Sequence, residues 1–282
     1  RVAATGVTAL LPALSPMDSA EPARLACADV DPGRIFDVSV AAYLLESDAS
    51  DYGAKALCER HLGCPLPEPA AAQDGQTGAD DAPTRAAAEA AAARALVPAL
   101  ADALEKDGSA ELFSTIEMPL LPVLAQMERE GLSVDPSILA AQSAELGAEI
   151  SAMVDKIHAA AGEDFNLDSP MQLSHVLFDV LGLPTFGLKR TKRGYYSTNA
   201  KVLADLAAEH EIVADVLEYR ERSKIKSTYL DALPALVRGD RRVHTTLNQT
   251  VTATGRLSSS DPNLQNIPTR SELGHRVRQA FT

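Results

Sequence analysis

The run from Thr252 to Pro268 constrains the fold of this chain more than any other stretch. It combines one Arg, one Gln, two Asn and several hydroxyl side chains. The aliphatic side chains that it offers for burial are Ala253, Leu257, Leu264 and Ile267. A segment so poor in apolar residues and so rich in hydrogen-bond donors is a weak core builder. It is suited instead to a surface that hydrogen-bonds a polar ligand.

The net charge of −13 is distributed unevenly along the chain. Residues 1–115 hold 8 basic and 18 acidic side chains, residues 116–185 hold 2 and 11, and residues 186–282 hold 16 and 10. Only the last third is basic, as expected of the part that meets an anionic partner. Because no stretch approaches the roughly 20 apolar residues that span a bilayer, the sequence excludes a membrane protein.

Apolar periodicity predicts an α+β chain that is mostly helical. In the first half we expect strands at Val2-Ala3 and Leu25–Ala28, helices after Ile35–Asp37 and from Tyr52 to Leu62, a linker from Pro65 to Pro83, and an Ala-rich helix from Thr84 to Leu104. A helix ending at Gly131 has an apolar face formed by Ile116, Leu120, Val123, Leu124 and Met127.

In the second half we predict a long helix that starts at Pro136, with Asp135 as its N-cap, and ends near Ala161. The basic stretch from Leu188 to Ser197 breaks the periodicity, which indicates a loop. Further helices at 199–209 and 211–236 and a strand from Arg242 to Val251 complete the prediction.

The Thr252–Pro268 run resembles, almost letter for letter, the segment that opens the palm of the family A DNA polymerases, the family of bacterial DNA polymerase I. The resemblance is strong from about Ile116 to Phe281 and weaker before. It implies a degraded ribonuclease H-like 3′–5′ exonuclease remnant at 1–113, a helical thumb at 114–240 and the first palm strands at 241–282. The family would continue beyond Thr282 to its first catalytic aspartate, so we expect no catalytic residue in this chain.

The polar run supplies four candidate DNA-binding residues: Arg256, Asn263, Gln265 and Asn266. Arg, Asn and Gln suit the minor-groove acceptors that every base pair presents in nearly the same place. The resemblance implies that these four contact the primer–template minor groove near the growing end. For an isolated cluster of this kind, a hydrogen-bonded turn of architectural Asn and Ser is the alternative interpretation.

A second candidate is the run from Tyr219 to Tyr229, which resembles the long thumb helix that lies along the duplex. On a helix, Arg220 and Lys224, and likewise Arg222 and Lys226, form two cationic ridges. The hydroxyls beside them belong to Ser223, Ser227 and Thr228. Cations and hydroxyls suit phosphate oxygens and carry no sequence preference. A solvated basic helix is an equally weighted alternative.

A third candidate is the loop with four cations in five positions: Lys189, Arg190, Lys192 and Arg193. It resembles the mobile thumb-tip loop that clamps the duplex backbone. Tyr195 and Tyr196 follow it, and we expect them to pack beneath the loop rather than stack on bases.

The N-terminal third is expected to be an inactive scaffold. Asp37 matches the family segment that carries one metal-binding aspartate of the exonuclease, but Arg85 and Glu89 stand where the family has Tyr and Asp. One carboxylate does not hold the two metal ions of that chemistry, so Asp37 is better interpreted as a helix cap. Cys58, His61 and Cys64 lack paired metal-binding arms, and we predict no metal site there.

The expected function is that of a part of a DNA-directed DNA polymerase, which carries out template-directed nucleotidyl transfer in DNA replication and repair. The resemblance implies a primer–template duplex as partner, Mg²⁺ and deoxynucleoside triphosphates only in the full-length protein, a monomer, and a cytoplasmic, nucleoid-associated location. The sparse cysteines fit that reducing setting. The alternatives are a non-catalytic DNA-binding module and a 3′–5′ exonuclease with a thumb clamp.

Overall fold

The computed structural model of the chain describes residues 2–6, 31–66 and 82–282. The chain divides into two compact units, each assembled from two stretches of sequence. Unit 1 comprises Arg1–Gly131 and His244–Gln265, and unit 2 comprises Leu132–Val243 and Asn266–Thr282. The predicted strand at 25–28 and most of the predicted linker at 65–83 lie outside the described residues.

Helices dominate the described residues, and the strands between them are short. The first elements are β1 (Val2–Ala4), β2 (Ile35–Asp37), α1 (Val38–Leu45), α2 (Ala54–Leu57), α3 (Ala82–Asp107), α4 (Ala110–Leu112) and α5 (Met118–Glu130). The later elements are β3 (Leu132–Ser133), α6 (Pro136–Ala161), α7 (Pro170–Ser174), α8 (Ala200–Ala207), α9 (Glu211–Ile225), α10 (Ala232–Leu236), β4 (Arg242–Val243), β5 (Thr246–Asn248), β6 (Ser258–Ser260) and α11 (Glu272–Arg278). Wider, π-type turns follow α2, α4, α7 and α9, at Cys58–Leu62, Phe113–Glu117, His175–Val180 and Lys226–Asp231.

The core of unit 1 lies between its parallel strand pair and its Ala-rich helix. β1 pairs in parallel with β2, with Val2 opposite Ile35. The predicted Ala-rich helix is confirmed as α3, whose Leu96 and Leu100 are completely buried. These leucines pack in one cluster with residues of α1, α2 and α5. Ala favours the helix but buries little area, so the leucines supply most of the apolar contact of α3.

The structure buries only part of the face predicted for α5, because Leu124 is 1% exposed whereas other members of that face are open to solvent. Three members of the predicted face, Ile116, Val123 and Met127, are 55, 53 and 55% exposed. The buried residues of α5 are Met118, Leu121, Pro122, Leu124 and Ala125. Ile116 itself lies in the wide turn at Phe113–Glu117, before the regular helix begins. Val123 and Met127 are apolar positions that the 3.6-residue period counted as buried, although they lie on the solvent side of α5.

Unit 2 is built on two helices, α6 and α9, that pack on each other. The predicted start of α6 is confirmed, because the Asp135 carboxylate accepts a hydrogen bond from Ser137 N at 2.9 Å and Pro136 occupies the first turn. Gly162, with a φ of +78°, ends the helix in the left-handed conformation that glycine favours. The core residues include Ile157 of α6, Leu203 of α8 and Val216 of α9, all fully buried.

The strand predicted from Arg242 to Val251 is present only as two short pieces. β4 pairs with β3 inside unit 2, whereas β5 pairs with β6 inside unit 1. The two halves have different partners, so the extended run is interrupted at His244 and Thr245. Alternating sequence alone predicts an extended chain but does not reveal a change of partner.

The mostly helical character predicted from the sequence is confirmed. The exonuclease-like identity of the N-terminal third and the functional division at 1–113, 114–240 and 241–282 stay predictions. Among the described helices, none combines the length and the apolar character that crossing a membrane requires.

Candidate nucleic-acid interface

Tyr43 of α1 makes two hydrogen bonds to the backbone of the loop that carries Arg256. The buried Tyr43 hydroxyl donates to Thr252 O at 2.6 Å and accepts from Gly255 N at 2.9 Å. Gly255 has a φ of +76°, which suits glycine because it has no Cβ. Thr252 Oγ1 then donates to Arg256 O at 2.6 Å. The backbone of Arg256 is thus held in place, while its side chain is exposed and has no ion-pair partner within the described ranges.

Asn263 and Gln265 use much of their hydrogen-bonding capacity inside their own segment. Gln265 Nε2 donates to Leu257 O at 2.9 Å, and Gln265 Oε1 accepts from Ser259 N at 3.3 Å. Asn263 Oδ1 accepts from Gln265 N at 3.1 Å. Both side chains therefore brace the turn after β6, which is the architectural role that the sequence left open as an alternative. Among the described residues, the Asn263 amide nitrogen makes no hydrogen bond, so Asn263 retains donors for a ligand.

Asn266 lies at the start of the second stretch of unit 2, and its side chain is exposed. The next residue, Ile267, is buried and anchors the chain there. A Cβ added at Gly274 of α11 would lie 2.1 Å from Pro268 O, so only glycine permits this close approach. These contacts fix the backbone beside Asn266, whose exposed amide group makes no hydrogen bond within the described ranges and can meet a ligand.

The cations predicted to form two ridges on α9 are mostly engaged by carboxylates or backbone oxygens of unit 2. Arg222 Nε lies 3.1 Å from Glu149 Oε2, and its guanidinium also pairs with Glu218. Lys226 Nζ lies 2.9 Å from both carboxylate oxygens of Asp231. A phosphate would have to displace these intramolecular partners before it could bind either cation.

The remaining polar residues of this helical stretch differ in their availability. Lys224 is exposed and has no ion pair in the part of the chain that the structure describes. Thr228 is exposed, and Ser227 is exposed but donates its hydroxyl to Ser223 O at 2.8 Å. Arg220 is half-buried and donates to Thr198 O, and burial lowers its pKa. We infer that Lys224 is the most accessible cation of this surface.

The basic loop between α7 and α8 has a defined structure. Thr191 N donates to Tyr195 O at 2.8 Å, which closes a tight turn, and Tyr196 N donates to Ser174 Oγ at 3.0 Å. The Arg190 guanidinium lies 4.2 Å from the centre of the Tyr196 ring, and that ring packs on Phe178 with 5.3 Å between centroids. Of the two tyrosines that we expected to pack beneath the loop, Tyr196 does so.

The other three cations of this loop are open to solvent. Lys189, Lys192 and Arg193 are exposed, and none has an ion pair within the described residues. No Asp or Glu occurs between Asp179 and Asp205, whereas five cations do. The positive potential of the loop is therefore not cancelled by acidic neighbours in sequence, and it suits a polyanion. Within the loop, hydrogen bonds with Thr185 and Arg190 lower the pKa of Tyr196.

The predicted residues fall into two sets, one in each unit. Arg256, Asn263 and Gln265 belong to unit 1, whereas Asn266 and all the predicted cations of the loop and of α9 belong to unit 2. Sequence reasoning missed Tyr43, which orders the Arg256 loop from 209 residues away. A hydrogen bond of such separation leaves no local sequence signal, since Tyr43 looks like one more apolar position of α1.

Asp37 has the capping role that the sequence favoured. Its buried carboxylate accepts from Ser39 N at 2.9 Å and Val40 N at 3.2 Å at the start of α1. In the described part of the chain, no group of three or more His, Cys, Asp or Glu side chains is arranged to hold a metal ion. Cys58 is buried, which raises its pKa, whereas Cys64 is exposed.

The family model "DNA polymerase family A" matches residues 136–282 of this chain. The chain is 48% identical over 194 residues to DNA polymerase I of Bacillus subtilis and 43% identical over 255 residues to DNA polymerase I of Geobacillus stearothermophilus. These matches cover 68 and 88% of this chain but only 22 and 29% of those relatives. The chain therefore spans less than a third of the length of the curated relatives it matches.

Among solved structures, the chain resembles the POL domain of Pol1 from M. smegmatis, described as a complex with DNA primer-template and dNTP. The TM-score is 0.75 at 36% sequence identity, and the match covers 87% of this chain and 40% of that one. This chain belongs to the family A DNA polymerases.

Proposed function

We propose that this chain is the part of a DNA-directed DNA polymerase that binds the primer–template duplex during replication and repair. The observation that carries this proposal is the basic loop, whose Lys189, Lys192 and Arg193 lack acidic partners among the described residues in a chain of this family. The solved relative from M. smegmatis is described with a DNA primer-template and dNTP. By extension, deoxynucleoside triphosphates are the substrates of the longer polymerase.

In this proposal the two sets of residues have different tasks. The basic loop and Lys224 bind phosphates, which gives affinity without sequence preference. Arg256 and Asn266 reach minor-groove acceptors, which lie in nearly the same place in all base pairs. Asn263 and Gln265 hold the Arg256 segment in its conformation and offer a ligand only those amide N–H groups that this segment does not use. Arg222 and Lys226 contribute less, because acidic residues already occupy them.

The three-part division belongs to the same proposal, with an inactive exonuclease-like scaffold at 1–113, a thumb at 114–240 and the start of the palm at 241–282. The proposed polymerase uses Mg²⁺. Across the ranges that the structure describes, no cluster of three His, Cys, Asp or Glu side chains could hold this ion. A monomeric protein of the cytoplasm and nucleoid completes the proposal. A nuclease role would instead require Mg²⁺- or Mn²⁺-dependent digestion of single strands by this chain.

The test is the affinity of the chain for a primer–template duplex, measured across a range of salt concentrations. We expect log affinity to fall linearly with log salt, by a slope of roughly 0.9 for each phosphate that the protein neutralises. Arg256→Ala should weaken binding about five- to 100-fold, as expected for loss of a base-edge contact. The matched control is Arg94→Ala, which removes another exposed arginine, from α3.

The Lys224→Ala/Lys226→Ala double variant separates the contributions of the two units to duplex binding. We expect this variant to have a shallower salt slope, while adding Arg256→Ala weakens its binding by the same factor as in the parent chain. That result supports phosphate binding by unit 2 and groove binding by unit 1. Absence of duplex binding at low salt in the parent chain would overturn the proposed role.

A further inference from the structure

A cavity of about 630 Å³ opens beside the basic loop, entirely within unit 2. This volume lies within the range of about 300–1,000 Å³ that is typical of small-ligand sites. Two segments line it. The loop from Arg190 to Tyr196 forms one part of the wall, and the stretch from Glu163 to Asp179 forms the other.

The loop side of the cavity is cationic and aromatic. Arg190 is held in place because its guanidinium lies 4.2 Å from the Tyr196 ring centre and also donates to Gly194 O. Arg193 has no ion pair within the described residues, and Tyr195 makes no ring contact there. A fixed guanidinium costs less entropy to engage than a mobile one, and the planar fork suits phosphate oxygens.

The second lining segment, from Glu163 to Asp179, carries carboxylates and apolar side chains. Asp179 pairs with His175 at 2.9 Å, and Asp164 lies 3.3 Å from His158 Nδ1, while Glu163 has no partner in the described part of the chain. Phe165 and Met171 provide apolar surface. The cavity therefore offers cations, aromatic rings and a free carboxylate acceptor within a space that holds one small molecule.

We infer that this cavity binds a single unpaired nucleotide. The phosphate lies against Arg190 and Arg193, the base stacks on the Tyr195 ring, and Glu163 accepts an N–H from the base edge. Every base has a π-face and at least one N–H donor, so the site has little base preference. The inference rests on the proposed function only in that the nucleotide belongs to DNA, and the duplex-binding surface is not needed for it.

The group that the cavity binds is one deoxynucleotide, and this can be part of a single DNA strand or a free mononucleotide. The probes are a short single strand containing one 2-aminopurine and the free 2-aminopurine deoxynucleoside monophosphate. Stacking on an aromatic ring quenches this base, and the chain contains no Trp that would interfere with the signal. Both probes are titrated into the full 282-residue chain.

Two variants remove the contacts that define the site. Tyr195→Ala should weaken binding between about five- and 150-fold, the usual loss for one base stacked on an aromatic ring. Tyr195→Phe should retain most of the affinity, since the ring remains. Arg193→Ala should weaken binding about tenfold, as expected for the loss of a charge-assisted hydrogen bond.

Matched controls lie in the same loop but outside the cavity. Lys192→Ala removes an equal charge, and Phe186→Ala removes a fully exposed aromatic ring. We expect Phe186→Ala to leave quenching unchanged and Lys192→Ala to weaken nucleotide binding by about twofold or less, a general charge effect. Circular dichroism of each variant confirms that α-helix content is preserved.

The outcomes separate the cavity from the duplex-binding surface. Quenching of the strand alone supports the site with a DNA strand as its source, and quenching by both probes supports it with free nucleotide as a second source. Equal losses for Arg193→Ala and Lys192→Ala, with no effect of Tyr195→Ala, would refute the nucleotide site and leave the duplex proposal intact. Nucleotide binding without duplex binding would reject the duplex proposal alone.

Discussion

The basic loop and the basic stretch of α9 look alike in sequence but differ in structure. Each holds four cations within seven residues. In the loop, Lys189, Lys192 and Arg193 are exposed and lack ion pairs in the part of the chain described. On the helical stretch, Arg222 and Lys226 face carboxylates of unit 2 at 3.1 and 2.9 Å.

The difference comes from what surrounds each cluster. The exposed loop cations make no ion pair within the described residues, although Glu163, Asp164 and Asp179 line the neighbouring cavity. Arg222, in contrast, meets Glu149 of α6, on which α9 packs, and Lys226 meets Asp231 in the turn that follows α9. A helix packed on an acidic helix acquires ion pairs, and these hold its cations in place. The number of cations in a sequence therefore measures potential affinity for an anion, and the packing decides how much of it is available.

The largest expected effect is the loss of the loop cations. The triple variant Lys189→Ala/Lys192→Ala/Arg193→Ala should weaken duplex binding by about tenfold or more at low salt and reduce the salt slope by roughly 2 to 3, since about 0.9 is lost per phosphate contact. The matched variant Arg222→Ala/Lys226→Ala should change the slope by much less. Fluorescence anisotropy with a labelled duplex, measured at several salt concentrations, checks both. Equal slopes for the two variants would show that ion pairing does not limit the helical cations.

The next effect concerns Arg220, the one cation of this stretch that is mainly structural. Its half-buried guanidinium donates to the backbone oxygen of Thr198, just before α8. Arg220→Ala should lower the free energy of unfolding by about 1.5–3 kcal/mol, the usual contribution of a hydrogen bond to a charged group. Urea denaturation measures this, with Lys224→Ala as the control, for which we expect a change below about 0.5 kcal/mol. Similar stability of the two variants would contradict a structural role for Arg220.

The sequence predicted the helices and the basic loop well because both depend on local patterns. Ala-rich composition gave α3, and the Asp135-Pro136 pair gave the start of α6. The face predicted for α5 was only partly right, because apolar spacing alone does not show that Val123 and Met127 are exposed while Leu124 is buried.

The candidate site was predicted less completely than the fold, because its residues depend on distant partners. Gln265 looked like a ligand-binding amide, but both ends of its amide bond the backbone of its own segment. Arg222 looked free, but its partner Glu149 lies 73 residues away in sequence. Contacts of this range are set by how the helices pack, which a single sequence does not show.

A smaller effect tests the ion pairs of Arg222. This residue bridges Glu149 of α6 and Glu218 of its own helix, with its side chain 23% exposed. Arg222→Ala should lower the free energy of unfolding by about 1 kcal/mol, at the upper end for a partly exposed pair. Arg222→Lys retains the positive charge but not the planar guanidinium that can bond two carboxylates at once, so it should recover less than half of that loss. Thermal unfolding at low and high salt measures both, and a loss independent of salt would argue against an electrostatic contribution.

The smallest expected effect comes from removing the carboxylate of Asp231, which pairs with Lys226. Hydrogen bonds from the Ser143 hydroxyl and the Lys226 ammonium hold the pKa of Asp231 below its usual value of about 4. Because the folded-state pKa is depressed, the stabilisation is fully present above the unfolded-state pKa and is lost as the pH falls through the folded-state pKa. Asp231→Asn should remove this part of the acid dependence of stability, measured by urea denaturation at a series of pH values from neutral down through the acid range.

The same substitution, Asp231→Asn, should leave Lys226 without an ion pair, as the loop cations are. With no carboxylate at position 231, its ammonium can pair with a phosphate, and the salt slope of duplex binding should steepen by up to about 0.9. Ser143→Ala is the control, since it removes the other hydrogen bond to Asp231 but leaves the carboxylate beside Lys226. A steeper slope for Asp231→Asn and an unchanged slope for Ser143→Ala would show that pairing with Asp231 is what separates this helical cation from those of the loop. If both slopes stay at the parent value, the position of Lys226 on the unit, rather than its ion pair, keeps it from the duplex.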